Sequence, residues 1–376
     1  MIKNTQKLKI MTILGTRPEI IRLSRILPLM DQYFDHNIVF TEQSYDYELS
    51  EVFFKELDLR KPNHVLDVKS ETLGGQIAKI IEQTEKIMLK EAPDAVFILG
   101  DTNSALSGIV ARRLKIPIFH MEAGNRSYDW NVPEEINRRI IDHISNYNLA
   151  YTEHSRRYLL REGIDPNTIF VTGSPFAEIF PFFETKINSS KVLEELHLKP
   201  QEYFLVSVHR EENVDNQENL ETLFESLNFL AEKYEVPIIV SLHPRTKSRL
   251  EKAKIKPHRL INLHKPFGYF AYNKLQQNAL CVLSDSGSIQ EESAILGFPA
   301  VQVRVSTERP EAFDSGSIIL AGFNFNAITN AVILSVDSFK KGESIVIPDD
   351  YKDTNVSTKV VKLIMGLASI KKYHNR

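Results

Sequence analysis

The chain has 376 residues, more than one ordinary core takes and suited to two domains of typical size. Hydrophobic residues make up 42% and charged residues 25%, and a formal charge of -3 leaves no bulk field that would select nucleic acid or an anionic membrane as partner. The single cysteine, Cys281, excludes an intramolecular disulfide, argues against a metal cluster and fits a reducing, cytoplasmic setting.

The opening "MIKNTQKLKIMTIL" lacks the apolar core and cleavage site of a secretion signal and reads as a first strand. No apolar run reaches the ~18 residues that would span a bilayer. Strand-like runs then alternate with helical patterns. "KIMTIL" leads into a helix near Pro18, and "HNIVFT" into "YELSEVFFKEL", where Leu49, Val52, Phe53 and Leu57 fall at helical spacing. "DAVFILG" precedes "SALSGIVARRL", "IPIFHM" precedes "PEEINRRIIDHIS", and "LAYT" precedes "HSRRYLLREG", which Gly163 closes before "TIFVTG". A second series holds strands at "YFLVSVH", "VPIIVSLH", "RLINLH", "ALCVLSD" and "PAVQVR", with helices near 217–234, 270–279, 287–296 and 325–336.

Such alternation implies parallel sheets with right-handed crossovers, hence two doubly wound α/β domains. The stretch Gly173 to Lys186, with two prolines interrupting its periodicity, is the expected boundary. The domains expected are 1–175, 176–354, and a last helical segment, 355–376, packing back on the first domain. Ligands of open parallel sheets bind beyond the carboxyl ends of the strands, so the polar residues following each strand carry the functional reading.

Gly15-Thr16-Arg17-Pro18-Glu19 turns the first strand into a helix, where glycine lets a ligand approach and a helix N-terminus offers N–H groups to an anion. Arg17 and Arg22 add cations. A single glycine is not the dinucleotide fingerprint, so NAD is disfavoured. Asp101 and Thr102, after "VFIL", read in isolation as ordinary helix caps. Ser284 to Ser288 offers more hydroxyls than capping needs and suits a phosphate, with Glu291 and Glu292 placed to meet a ribose. His120, His209 and His243 each end an apolar run, a repetition that speaks against a purely structural role. Glu122 and the Glu134-Glu135 pair put acids behind one strand. Basic groups, Gly/Ser turns and acids at strand ends, without a Walker loop or a metal-ligand pattern, point to a phosphorylated sugar or nucleotide with acids for proton transfer.

In order along the chain, "GTRPE", "GDT", "HMEAGNR", "VPEEINRR", "TGSP", "HREEN", "SDSGSIQEES" and "ERPE" resemble the non-hydrolysing UDP-N-acetylglucosamine 2-epimerases. The set runs from residue 15 to about 311 and is specific as an ordered whole. The wording of these motifs is most similar to the branch that makes UDP-N-acetyl-L-fucosamine from UDP-2-acetamido-2,6-dideoxy-β-L-talose for bacterial capsule or O-antigen. The resemblance implies a GT-B-like fold of two Rossmann-type domains, a homodimer, a UDP-linked N-acetylated amino sugar as substrate and no cofactor.

It also implies roles. Asp101, Glu122 and Glu134 match the acid/base residues, and His209 the histidine that contacts the diphosphate and assists catalysis. Arg17, Arg22, Arg210, His243 and Arg309 match positions around the nucleotide or the reacting sugar. Ser286, Gly287 and Ser288 match the diphosphate turn, and Glu292 the ribose acid. Glu135 is expected to pair with Arg138 or Arg139 one turn on. Two departures stand out: Arg22 replaces a lysine of the UDP-N-acetylglucosamine enzymes, favouring the talose branch, and Glu42 stands where glycine is common. The alternatives are a UDP-N-acetylglucosamine 2-epimerase, a hydrolysing epimerase, a GT-B glycosyltransferase, and a nucleotide-sugar sensor, which would not need three acids.

Overall fold

A computed structural model describes residues 7–41, 47–208, 210, 213, 215–242, 249–250 and 255–370. The chain divides into two compact units, one of residues up to Ile179 together with those from Lys352 onward, the other Phe180–Tyr351.

In the first unit β1 (Lys9–Leu14), β2 (Asp35–Phe40), β3 (His64–Val65), β4 (Ala95–Leu99), β5 (Ile118–Ala123), β6 (Tyr147–Ala150) and β7 (Ile169–Val171) form one parallel sheet in the order β3-β2-β1-β4-β5-β6-β7. Central strands of such a sheet are covered on both faces, and "AVFIL" of β4 is accordingly apolar and buried at every position. Met11, Ile13, Val39, Val96, Ile98, Ile118 and Ile141 pack together in one core, each burial giving roughly 1.5–3 kcal/mol. The chain runs outward from β1 to β3 and then returns to β4, so the strand order reverses between β1 and β4, the place where such sheets bind ligands.

The second unit repeats the plan with β8 (Phe204–Ser207), β9 (Ile238–Ser241), β10 (Ile261–His264), β11 (Cys281–Ser284), β12 (Ala300–Gln302) and β13 (Ile319–Leu320), ordered β10-β9-β8-β11-β12-β13 and reversing between β8 and β11. Phe204, Val206, Leu223, Phe224, Leu227, Leu283 and Val332 make its main core. Both units are thus parallel-sheet α/β structures of GT-B-like type.

Within the boundary stretch the prolines act otherwise than the sequence pattern implies. They do not break the chain's periodicity, because the Phe176–Asn188 helix runs on through Pro181 and carries the chain from one unit into the other. A proline there forgoes one helical hydrogen bond but leaves its own φ helical. In the first unit the Val356–Leu367 helix lies against the Ile26–Tyr33 helix, and Ser357 donates to Glu178 from its backbone N–H (2.8 Å) and its hydroxyl (2.6 Å).

The Pro133–Ile144 helix inverts the usual pattern. It buries Glu135, Asn137, Arg138, Ile141 and Asp142, while Ile136 is 51% exposed. A helix that hides charge must find partners for it within the fold. Those partners build the candidate site.

Candidate active site

Asp101 follows β4 after Gly100, whose φ of +80° turns the chain sharply off the strand. Its Oδ2 accepts from Arg138 Nη2 at 2.7 Å and Nε at 2.9 Å. Burial pushes the Asp101 carboxyl up, Arg138 pulls it down, and the negative charges of Glu122 and Glu134 push it up again, leaving it at about 6. Asp101 therefore does not cap the following turn, as its sequence context alone suggested; it is an acid poised near neutrality. Glu122, from the end of β5, and Glu134, from the start of the Pro133–Ile144 helix, both lie close enough to act on Asp101 after β4.

Glu122 sits in the left-handed region, φ +69°, where β5 shifts register between Met121 and Ala123. A non-glycine residue held there costs on the order of 1–3 kcal/mol, and such strain gathers at functional sites. Its carboxylate receives the Tyr151 hydroxyl at 3.4 Å and Asn125 Nδ2 at 3.3 Å, and lies 3.7 Å from Arg22 Nε. Arg22 itself is buried, its guanidinium 4.9 Å from the Phe176 ring centroid and 5.7 Å from that of Tyr151. Two aromatic faces and a carboxylate hold this cation in one orientation.

Arg17 is exposed, with its guanidinium 5.2 Å from the Phe53 ring centroid. The Gly15-Thr16 turn departs from expectation: its N–H groups are not open to a ligand, because both donate to the buried carboxylate of Glu19. The other Glu19 oxygen accepts the Thr102 hydroxyl at 2.6 Å, which ties the turn after β1 to the turn after β4. Burial drives the Glu19 carboxyl up to about 7, against the pull of these three hydrogen bonds. The sequence signal for this tie is the Thr16-x-x-Glu19 capping-box spacing.

Glu135 is structural, as expected. It pairs with Arg138 at 3.1 Å and Arg139 at 2.9 Å, and accepts the Ser127 N–H and hydroxyl, each at 3.1 Å. His120 differs from expectation: its ring is buried within the first unit, bonded to Asp142 and to the Gly100 carbonyl.

In the second unit the turn after β11 carries Ser286, Gly287 and Ser288. The Ser286 and Ser288 hydroxyls meet at 2.9 Å, and Ser288 donates to Glu292 at 2.7 Å, whose other oxygen accepts from Gln276 at 2.6 Å. Arg309 is buried behind this turn: its Nε donates to the Gly287 carbonyl at 3.0 Å and lies 2.9 Å from Glu291. A Cβ added to Gly287 would stand 2.5 Å from Glu308 Oε1 and 3.8 Å from Arg210 Nη2, so only glycine leaves that approach open. The Arg210 N–H donates to Asp285 at 2.8 Å. Arg304, not singled out in the sequence, is buried beside Glu308 at 3.2 Å; burial, then the neighbouring Arg210 charge, lower its proton affinity against the pull of Glu308 and Asp285. His209, His243 and Glu42 lie outside the described residues. Among the described residues no cluster of three or more His, Cys, Asp or Glu could hold a metal ion, and no helix is long and apolar enough to cross a membrane.

Residues 29–365 match the family model described as UDP-N-acetylglucosamine 2-epimerase. The chain belongs to that family. A curated UDP-N-acetylglucosamine 2-epimerase of Methanocaldococcus jannaschii is 42% identical over 335 residues, covering 86% of this chain and 91% of its own. The UDP-2,3-diacetamido-2,3-dideoxy-D-glucuronate 2-epimerase of Pseudomonas aeruginosa is 34% identical, covering 84% and 88%. The solved M. jannaschii UDP-GlcNAc 2-epimerase in complex with UDP-GlcNAc and UDP superposes with a TM-score of 0.88 at 38% identity, covering 96% of this chain and all of that one. This epimerase is accordingly an isomerase acting on a nucleotide sugar at carbon 2.

Proposed function

We propose that this epimerase inverts carbon 2 of UDP-2-acetamido-2,6-dideoxy-β-L-talose to give UDP-N-acetyl-L-fucosamine, in the supply of bacterial capsule or O-antigen precursors. Carbon 2 lies beside no carbonyl, so its proton is not acidic, and simple removal would leave an unstabilised carbanion. Elimination avoids this. As a carboxylate takes the proton from carbon 2, the C–H electrons form a double bond to carbon 1, and the bond from carbon 1 to the diphosphate oxygen breaks with its electrons on UDP. Return of a proton to the opposite face of carbon 2, and attack of the UDP oxygen on carbon 1, completes the inversion. The sequence is redox-neutral, which is why no NAD enters it.

In this proposal Asp101, Glu122 and Glu134 handle the two protons, and an acid near 6 such as Asp101 can both accept and release one at neutral pH. His209 meets the diphosphate and assists catalysis; Ser286, Gly287, Ser288, Arg210, Arg309, His243 and Arg17 serve the UDP, whose departure each cation or N–H dipole favours, and Glu292 serves the ribose. The homodimer belongs to the same proposal and is checked by sedimentation.

The choice of sugar rests on Arg22. A lysine can move about and exchange a proton; this guanidinium is clamped by Phe176 and Tyr151 against Glu122 and stays charged. It suits a site that orients the carboxylate and one fixed sugar configuration. The names of the relatives favour UDP-N-acetylglucosamine as the second reading. Incubation of each sugar nucleotide in heavy water, followed by NMR, separates them. Deuterium entering carbon 2 of only the talose compound, with fucosamine product, is expected. Exchange confined to UDP-N-acetylglucosamine would replace the proposed substrate, and no exchange in either would remove the acid/base assignment for both.

A further inference from the structure

His120 lies on β5, Gly100 directly before Asp101, and Asp142 on the Pro133–Ile144 helix. The His120 ring is fully buried, with Nε2 2.9 Å from the Gly100 carbonyl oxygen and Nδ1 2.8 Å from Asp142 Oδ1. A carbonyl oxygen only accepts, so Nε2 carries a hydrogen. Asp142 is an acceptor as well. Its Oδ2 receives the Gly124 N–H at 3.1 Å and Arg126 Nη1 at 2.7 Å, and the His120 and Arg126 contacts hold its carboxyl below the usual range although burial alone would raise it. The ring is therefore bonded at both nitrogens, to the Gly100 carbonyl on one side and to the Asp142 carboxylate on the other.

The ends of this bridge are informative. One is the carbonyl of Gly100, the residue before Asp101. The other, through Asp142, is the N–H of Gly124, two residues after the strained Glu122. Gly124 has no room to shift: at φ +82° an added Cβ would stand 2.4 Å from the Ser155 carbonyl oxygen. The segments that carry the two acids are thus fixed to the same imidazole–carboxylate pair, and Arg126 clamps that pair to Glu162 by a two-nitrogen contact, Nε at 2.8 Å and Nη2 at 2.5 Å.

We propose that His120 and Asp142 are positioning residues for the epimerase reaction, setting the separation of Asp101 and Glu122 without touching the substrate. The inference rests on the reading of those two acids as proton-transfer groups. Proton transfer demands placement within a fraction of an ångström, and a shift of about 1 Å costs roughly 100-fold in rate. A hydrogen-bonded bridge in a dry interior is rigid because neither partner can turn to water.

Two substitutions divide the bridge. His120→Asn keeps an amide N–H near the Nδ1 position and the bond to Asp142 while losing Gly100; His120→Gln keeps a donor near Nε2 for Gly100 while losing Asp142. Each is expected to lower kcat about 100-fold for carbon-2 deuterium exchange, with KM and UDP affinity within about threefold of wild type, and to shift the pH profile of kcat because the Asp101–Glu122 repulsion changes. Wild-type kcat and pH profile in folded His120→Asn and His120→Gln enzymes would overturn the inference. So would losses of kcat, KM and UDP affinity that fall together in proportion to lost melting temperature. Should neither variant fold, nitrogen-15 NMR of the wild-type His120 ring decides: hydrogen-bond signatures at both ring nitrogens are expected, and a ring nitrogen free of a hydrogen bond would end the proposal. Asp101→Asn, run in parallel, separates the two readings. Full activity in Asp101→Asn refutes the acid assignment itself, whereas an inactive Asp101→Asn beside fully active His120 variants refutes only the bridge.

Discussion

Arg138 holds Asp101 with two nitrogens, at 2.7 and 2.9 Å, and Glu135 with a third, at 3.1 Å. One cation thus sits between an acid assigned to proton transfer and an acid that is fully buried and already paired on both oxygens. The arrangement explains the adjacent Glu134-Glu135 pair. Glu135 fixes Arg138, Arg138 fixes Asp101, and Glu134 at the head of the same helix adds negative charge that keeps the Asp101 proton from leaving too easily.

Arg138→Gln removes the group that lowers Asp101, so Asp101 should hold its proton to a pH above about 6. If the carboxylate form starts the reaction, the acidic limb of the kcat–pH profile should move to higher pH by about one unit or more. Activity measured from pH 5 to 9 checks this, and an unmoved limb would assign that limb to another group.

Arg22→Lys keeps the charge and loses the planar contact with Phe176 and Tyr151. Cation–π contacts of a desolvated guanidinium are worth about 2 kcal/mol, so the proposed talose substrate should turn over about 10- to 30-fold more slowly. These contacts also hold the folded state, so the melting temperature should drop by a few degrees. The competing substrate is the sharper readout: a rise in UDP-N-acetylglucosamine exchange would tie this position to substrate choice, while equal losses on both sugars would make it a general electrostatic group.

Much of this molecule was legible in its sequence because strand ends are punctuated by polar residues that the core has no use for. Asp101 and Ser286 to Ser288 stand just behind buried strands, Glu122 at the end of one and Glu134 at a helix start. What sequence could not give was direction. His120 alternates along β5 in a way that leaves either face open to it, and only the fold turns its ring inward onto Asp142, twenty-two residues away. Arg309 reads as a free cation beside a phosphate turn, yet it supports the Gly287 carbonyl from behind. Nothing local to Glu19 announces that its far oxygen meets Thr102 from another strand end. Pairings that join distant segments depend on tertiary packing, which periodicity does not encode.

Gly287→Ala tests the second unit separately. The new methyl would fall 2.5 Å from Glu308 Oε1, forcing that carboxylate or the turn to move. Calorimetric titration with UDP alone should give an affinity at least tenfold weaker, about 1.4 kcal/mol, with the melting temperature within a few degrees of wild type. Unchanged UDP affinity would exclude this turn from the diphosphate site.

Glu19→Gln should make the enzyme's stability less sensitive to pH, with a sign that follows from burial. The fold raises the Glu19 carboxyl from 4.5 to about 7, so it favours the protonated form. That preference stabilises the native state fully below pH 4.5 and is lost as the pH rises through 7, where the fold must hold an ionised carboxylate away from water. Glutamine resembles the protonated acid at every pH. The melting temperature of Glu19→Gln relative to wild type should therefore rise by a few degrees between pH 5 and pH 8.5. Activity follows a different course. At pH 8.5 the wild-type carboxylate accepts from Gly15, Thr16 and Thr102 together, and the amide cannot accept all three with equal geometry. The turns after β1 and β4 should loosen against each other, lowering kcat even as the fold becomes more resistant to heat. A variant that gained stability at pH 8.5 with no loss of turnover would show that Glu19 is tolerated only as a capping acid; one that lost both would mean that its ionised form is stabilised by the fold after all.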